Sequence, residues 1–166
     1  MKKKRSWIIG GVIILVGILA VAGVVIYHLE KSYHTNEYLP VSASVITPKA
    51  VIDVRVADTD TKRDLGLSYF KSLPRNQGML FLFDRPARYS FWMKGMNFAL
   101  DMVWMKHLQG NNYQIVSITE NAVPASYPNT FSPKAPVDAV LEINAFTAKG
   151  FGFSEGGEVR VASKGI

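Results

Sequence analysis

The sequence predicts a β-rich α+β domain, a compact antiparallel barrel or sandwich with one or two short helices, preceded by a single N-terminal transmembrane helix. Three observations predict it. Residues 7–27 form an apolar run without a single charged side chain. After it, about seven short apolar or alternating stretches recur between turn-forming residues, and only two stretches carry helix signals. The chain also has no cysteine. That excludes disulfide scaffolds, thiolate zinc sites, thiol nucleophiles and acylation on cysteine, so the fold must rest on its apolar core.

The N-terminal run has the length of a membrane span. At about 1.5 Å per residue it makes a helix of about 31 Å, against a hydrocarbon core of about 30 Å. Four positive charges in Met1-Lys2-Lys3-Lys4-Arg5 precede it, which keeps residues 1–6 cytoplasmic, and Trp7 and Tyr27 stand at its two ends as interfacial rings. Residues 7–27 are therefore expected to sit in a lipid bilayer as a signal anchor, with the rest of the chain extracytoplasmic. The alternative is a secretory signal cleaved near Ala22, because Ala20-Val21-Ala22 is a small-x-small pattern. The apolar continuation through Val24, Val25 and Ile26 favours the uncleaved anchor.

Charge divides along the chain in the same way. The 19 basic and 13 acidic side chains give a net +6. Residues 1–27 hold four bases and no acid, so residues 28–166 hold 15 bases and 13 acids, a net of +2. A nucleic-acid partner is not expected from a balanced domain of this kind.

Residues 28–48 read as a stalk, with 38–46 able to add an edge strand, and residues 49–162 as the domain. Val51–Ala57 alternates, Ile52, Val54 and Val56 against Asp53 and Arg55, as a half-buried strand does. Residues 58–67 then carry capping Asp and Thr residues and end on Gly66, which suggests a short helix. Residues 71–78 read as a turn, and 79–83 as a strand ended by Asp84-Arg85-Pro86. Residues 88–94 and 100–108 are further strands; the latter forms a hairpin with 113–119 around Gly110-Asn111-Asn112. Residues 121–136 hold four prolines in a long structured loop, 137–143 is a strand, 144–149 a short helix or turn, and 158–161 the closing strand.

Several motifs then fall in a recognisable order. Val56-Ala57-Asp58-Thr59 with Arg63 and Gly66-Leu67, Gly78-Met79-Leu80-Phe81, Phe91-Trp92-Met93-Lys94, Leu100-Asp101-Met102 and Val140-Leu141-Glu142-Ile143-Asn144-Ala145 resemble the family called domain of unknown function 192, over residues 49–161. The resemblance implies a compact β-rich domain, commonly exported behind a signal or anchor, with no established activity. The chain departs from the family pattern at Gly95-Met96, where Asn-Thr is typical, at Ala99, where proline is typical, and at Phe146, where glycine is typical.

Candidate chemistry concentrates around residues 92–101. Alternation puts Asp101 on a face with Val103 and Met105, where an ionised carboxylate needs a partner; Lys94, Arg88 or Arg63 could supply it, and a turn-capping or structural ion-pair role is the plainer reading. Glu142 alternates against Leu141 and Ile143, as a solvated strand face would. Asp101 and Glu142 are nevertheless the carboxylate pair to test for acid–base work on a glycosidic bond. The binding candidates are Arg63, Arg88, Trp92, Lys94, Asp101 and Tyr127, with loop 123–136 above them. His107 is the domain's single histidine, no metal-ligand constellation occurs, no phosphate loop or dinucleotide pattern appears, and neither a metal nor a cofactor is expected. The leading expectation is a membrane-anchored module that binds an envelope glycan or protein. A hydrolase of envelope glycan or peptide using Asp101 and Glu142, and a non-catalytic subunit of an envelope complex, are the alternatives.

Overall fold

Apolar side chains at every second position of short strands can be hidden on both sides only if the sheet curls on itself and one outer face is then covered. That is the architecture found. The computed structural model describes residues 17–27 and 39–164. The chain divides into two units, Met1–Tyr38 and Leu39–Ile166. Residues 17–27 are helical and exposed. Among the described residues no helix is long and apolar enough to cross a membrane; residues 7–16 of the expected span and residues 28–38 of the expected stalk lie outside the described residues.

The domain runs β1 (Val41–Ile46), β2 (Val51–Ala57), α1 (Asp60–Leu65), β3 (Gln77–Ala87), β4 (Phe91–Trp92), β5 (Leu100–His107), β6 (Asn112–Ala122), a 3-10 turn (Pro124–Ser126), β7 (Thr130–Phe131), β8 (Val137–Asn144) and β9 (Glu158–Ser163). Seven strands close a barrel in the order β1-β2-β3-β8-β5-β6-β9, with β9 returning to β1. All neighbours are antiparallel except β2 and β3, which run parallel. A parallel pair needs a crossover, and α1 with residues 66–76 supplies it. Thr59 caps α1 by accepting the Lys62 N–H, and Gly66 ends it with φ near +51°, a conformation that costs glycine little.

Every barrel strand sends at least one side chain to the interior, among them Val45, Ile52, Leu80, Val103, Ile115, Leu141 and Val159. Closure abolishes open edges. β1 is accordingly an inner member, paired on both sides, rather than the edge strand its position suggests, and the barrel begins before residue 49. The strand begun at Met79 does not stop at Asp84: β3 continues through Pro86 to Ala87, and its pairing with β8 shifts between Leu82 and Ala87. The bend accommodates a proline that a regular central strand would reject. Conversely, residues 88–94 yield only the two-residue β4, which pairs with β7 in a separate ribbon, Phe91 with Phe131 and Trp92 with Thr130.

A second core lies on the outer face of β2-β3-β8-β5. Ala57, Met79, Phe81, Val140, Leu100, Met102 and Trp104 face outward there and are covered by Leu39, Leu67, Leu73 and Met93 from irregular segments. Two asparagines tie that cover down. Asn144 Nδ2 donates to the carbonyls of Leu73 and Pro74, at 3.0 and 3.2 Å, and Asn97 Nδ2 to those of Ser68 and Phe70, at 3.2 and 2.9 Å.

Candidate functional site

Asp101 is fully buried at the interior end of β5, and its carboxylate is taken up by backbone. Oδ1 accepts the Asn121 N–H at 2.9 Å, and Oδ2 accepts those of Thr147 and Ala148 at 3.0 Å each. Three backbone donors satisfy a buried carboxylate. Asp101 thereby pins the turn after β8 and the end of β6 to β5. None of the basic side chains proposed from sequence serves it. Arg63 Nη2 pairs with Asp60 at 2.7 Å, its Nη1 donates to the Leu82 carbonyl at 2.7 Å, and its guanidinium lies 5.2 Å from the Phe83 ring centre. Arg88 donates to the Lys134 carbonyl at 2.7 Å, and Lys94 lies over Trp92.

Glu142 differs from the solvated residue that strand alternation suggests: it is only 5% exposed. The alternation is correct, but the outer face it points to belongs to the second core. In the sheet register it lies between Met79 of β3 and Met102 of β5, and Arg55 of β2 extends the same row beyond Met79. Among the described residues none donates a hydrogen bond or ion pair to its carboxyl group. Burial alone pushes that group up to about 8, because desolvation disfavours the charged form. Arg55 is held lower than an exposed arginine by the same cause; it donates to Gln77 Oε1 at 2.9 Å and lies 4.9 Å from the Phe70 ring centre.

The exposed candidates meet on the β4–β7 ribbon. Phe91 turns inward, edge-on to Phe81 and Trp104, so the next residue, Trp92, must turn outward. It is 55% exposed. The Tyr127 ring stands against it at 6.1 Å and 73°, and the Lys94 ammonium lies 5.4 Å from its ring centre, within range of a cation–π interaction. Of the binding residues expected from sequence, then, Trp92, Lys94 and Tyr127 come together and Arg63, Arg88 and Asp101 stand apart from them, each engaged elsewhere.

The barrel with its parallel β2–β3 crossover and outer cover is accompanied by a match of residues 43–161 to the model of DUF192, described as "Uncharacterized ACR". The chain belongs to the DUF192 family. No curated protein matches the chain. Solved structures similar to this chain include these two. One, from Sinorhizobium meliloti 1021 and provisionally described as a transcription regulator, is 33% identical with a TM-score of 0.62, covering 75% of this chain and 94% of that one. The other, a protein of unknown function from Novosphingobium aromaticivorans DSM 12444, is 27% identical with a TM-score of 0.60, covering 72% of this chain and 82% of that one.

Two departures from the DUF192 pattern fall where backbone conformation matters. Gly95 has φ near +70° and Phe146 near +64°. Asparagine and glycine, the residues that the resemblance implies at these two places, both tolerate that region, whereas a bulky side chain is strained in it. This chain relieves the first position with glycine and strains the second with a phenylalanine that is 76% exposed. A separate open cleft of about 580 Å³ is lined by Pro86, Lys106, Gln114, Val116, Pro136 and Glu155 among others; it includes the end of loop 123–136 but none of the candidate side chains above. No group of three or more His, Asp or Glu side chains among the described residues is placed to hold a metal. Strand alternation places Glu142 on a solvated face and Arg55 opposite the apolar face of its strand, and both prove buried; nothing in β-strand alternation reveals that an outer face is covered.

Proposed function

We propose that this DUF192 protein is a membrane-anchored, extracytoplasmic module that binds an envelope component, with an acidic glycan as the ligand class its surface fits. The observation that carries the reading is the Trp92–Lys94–Tyr127 cluster. An exposed indole offers a flat face for a sugar ring, the tyrosine walls one side, and the ammonium supplies a partner for a carboxylate. The position on a two-stranded ribbon, backed by Phe91 in the core, fixes the platform without ligand. Anchoring is supported by the four N-terminal positive charges before the 7–27 apolar run.

Protein partners would use the same exposed rings, and outcomes of one experiment separate the two. Trp104 is buried and Trp92 exposed, so a ligand on the platform changes the Trp92 share of the tryptophan emission, which Trp92→Ala separates from that of Trp7. Titration of the purified protein with soluble peptidoglycan fragments and uronic-acid oligosaccharides should quench that emission saturably. The response should vanish in Trp92→Ala, weaken in Lys94→Met, and persist in Asp101→Asn if the latter is folded. A panel of acidic glycans that leaves the emission unchanged overturns the glycan assignment. Protease accessibility in intact spheroplasts tests the topology independently: a protected C-terminal domain refutes it.

The placement of Asp101 and Glu142 gives the hydrolase alternative no support. With 14 basic and 11 acidic side chains over residues 39–164, the near balance of charge favours an envelope ligand over a nucleic acid.

A further inference from the structure

We propose that Met79, Glu142 and Met102 form a binding site for a soft monovalent cation, Cu(I) or Ag(I), between the outer face of the barrel and the segments that cover it. The register is the first support. Met79 and Met102 are the direct cross-strand partners of Glu142 on its two sides, so all three side chains leave the sheet on one face with neighbouring Cβ atoms about 4.5–5.5 Å apart. Two flexible thioethers thus flank one carboxyl group. Thioether sulfur selects Cu(I) and its heavier analogue among biological cations, and an oxygen donor of opposite charge completes a neutral site.

Methionine alone would need no such explanation, because it fills irregular core gaps. Glu142 does need one. A carboxyl group on a residue only 5% exposed, between the cross-strand partners Met79 and Met102, costs free energy that an apolar residue would avoid. It receives no compensating hydrogen bond from a described residue, and a ligand that arrives later is the compensation the geometry offers. On this covered face desolvation disfavours the charged carboxylate, so the group that meets the cation is the protonated carboxylic acid. Cation binding exchanges that proton for the metal, Glu142–COOH plus M⁺ giving Glu142–COO⁻·M⁺ plus H⁺, with no change in oxidation state.

The charged surroundings leave this exchange intact. On the β3 side the nearest ionisable group in the row is Arg55, one strand beyond Met79, and its guanidinium is directed to Gln77 and Phe70. On the β5 side the row continues through Met102 to Thr119, which does not titrate, and Asp101 faces the other side of the sheet. Along β8 the same-face neighbours are Val140 and Asn144, and the cover contributes Leu67, Leu73 and Met93, while its Lys71, Arg75 and Lys94 are exposed. Met96, half-buried in the turn after Met93 and packed on the same cluster, offers a further thioether at the rim.

The test is a calorimetric titration of the purified full-length protein with silver nitrate in chloride-free buffer at pH 7, run in two buffers of different ionisation enthalpy. The expected result is one Ag(I) per chain with release of nearly one proton. Met79→Leu/Met102→Leu, which keeps core volume, should weaken binding by roughly 100-fold or more, since even outer-shell changes cost 10- to 100-fold. Glu142→Gln should bind more weakly and release no proton, and Met105→Leu, whose side chain lies inside the barrel, should match the wild type. Zn(II) and Mg(II) should not compete. Absence of stoichiometric binding, equal affinity in the double leucine variant, unchanged proton release in Glu142→Gln, or equal competition by Zn(II) each overturns the site. None of these outcomes bears on the glycan surface, which uses no residue of this cluster.

Discussion

Asp101 and Glu142 stand on adjacent strands one register step apart, and their side chains leave the sheet on opposite faces. Glu142 is paired with Met102 and Asp101 with Ile143; Met102 belongs to the outer core and Ile143 to the barrel interior. A sheet wall therefore separates the two carboxyl groups. They cannot flank one scissile bond, and each has to be explained by its own surroundings.

For Asp101 the explanation is structural. Replacing it by asparagine leaves one oxygen to accept and puts an NH₂ group where an N–H already points. At least one of the Asn121, Thr147 and Ala148 donors then loses its acceptor in a buried place, at a cost of about 2–4 kcal/mol. Urea denaturation of Asp101→Asn should show that loss. A change below about 0.5 kcal/mol would mean that the turn is held by other contacts.

For Glu142 the explanation predicts a pH dependence. Its carboxyl group ionises near 4.5 when unfolded and near 8 when folded. Between those values the folded protein binds the extra proton, so stability falls as pH rises from about 5 to about 8 and levels off above. The fall is on the order of 5 kcal/mol at most, from about 1.4 kcal/mol per pH unit. Glu142→Gln should lack this component. Denaturation midpoints measured at pH 5 and pH 9 decide the matter: parallel behaviour of wild type and variant would show that Glu142 is not the group responsible.

Gly78 is required by close approach, not by its own dihedral angles. A Cβ there would stand 2.7 Å from the Glu142 carbonyl oxygen and 3.0 Å from Ile143 Cγ2. Backbone cannot yield as a side chain can, so Gly78→Ala should force β3 away from β8 and destabilise by about 1–3 kcal/mol. Thermal unfolding checks this, and an unchanged midpoint would contradict the observed strand spacing.

Phe146 carries strain with little packing to offset it. Its left-handed conformation costs about 1–2 kcal/mol that glycine avoids, against about 0.5–1 kcal/mol of added unfolded-state entropy for glycine. Phe146→Gly should thus be neutral or stabilise by up to about 1 kcal/mol, with a correspondingly higher melting temperature. A clear loss of stability would show that the ring contributes packing its exposure does not suggest.

Local sequence made much of the domain legible. The alternation in Val51–Ala57, the hairpin of β5 and β6, the capped helix after Asp58 and the family motifs depend on neighbours a few residues apart, and sequence displays those directly. The outward turn of Trp92 follows from the inward turn of Phe91 in the same way. Barrel closure does not. That β1 is paired on both sides depends on β9, more than 100 residues away, and Pro86 sits inside β3 because the strand bends where its pairing with β8 shifts.

The role of each carboxylate was decided at the same long range. Sequence showed that Glu142 lies opposite Leu141 and Ile143, which is true in the fold, but a period of two names a face without saying what covers it. Only the tertiary structure lays residues 66–76 and 93–98 over that face and turns an apparent surface acid into a buried one. Likewise Asp101 needed a partner by the physics of desolvation, while the partners proved to be backbone N–H groups from the end of β6 and the turn after β8, which no side-chain pattern records.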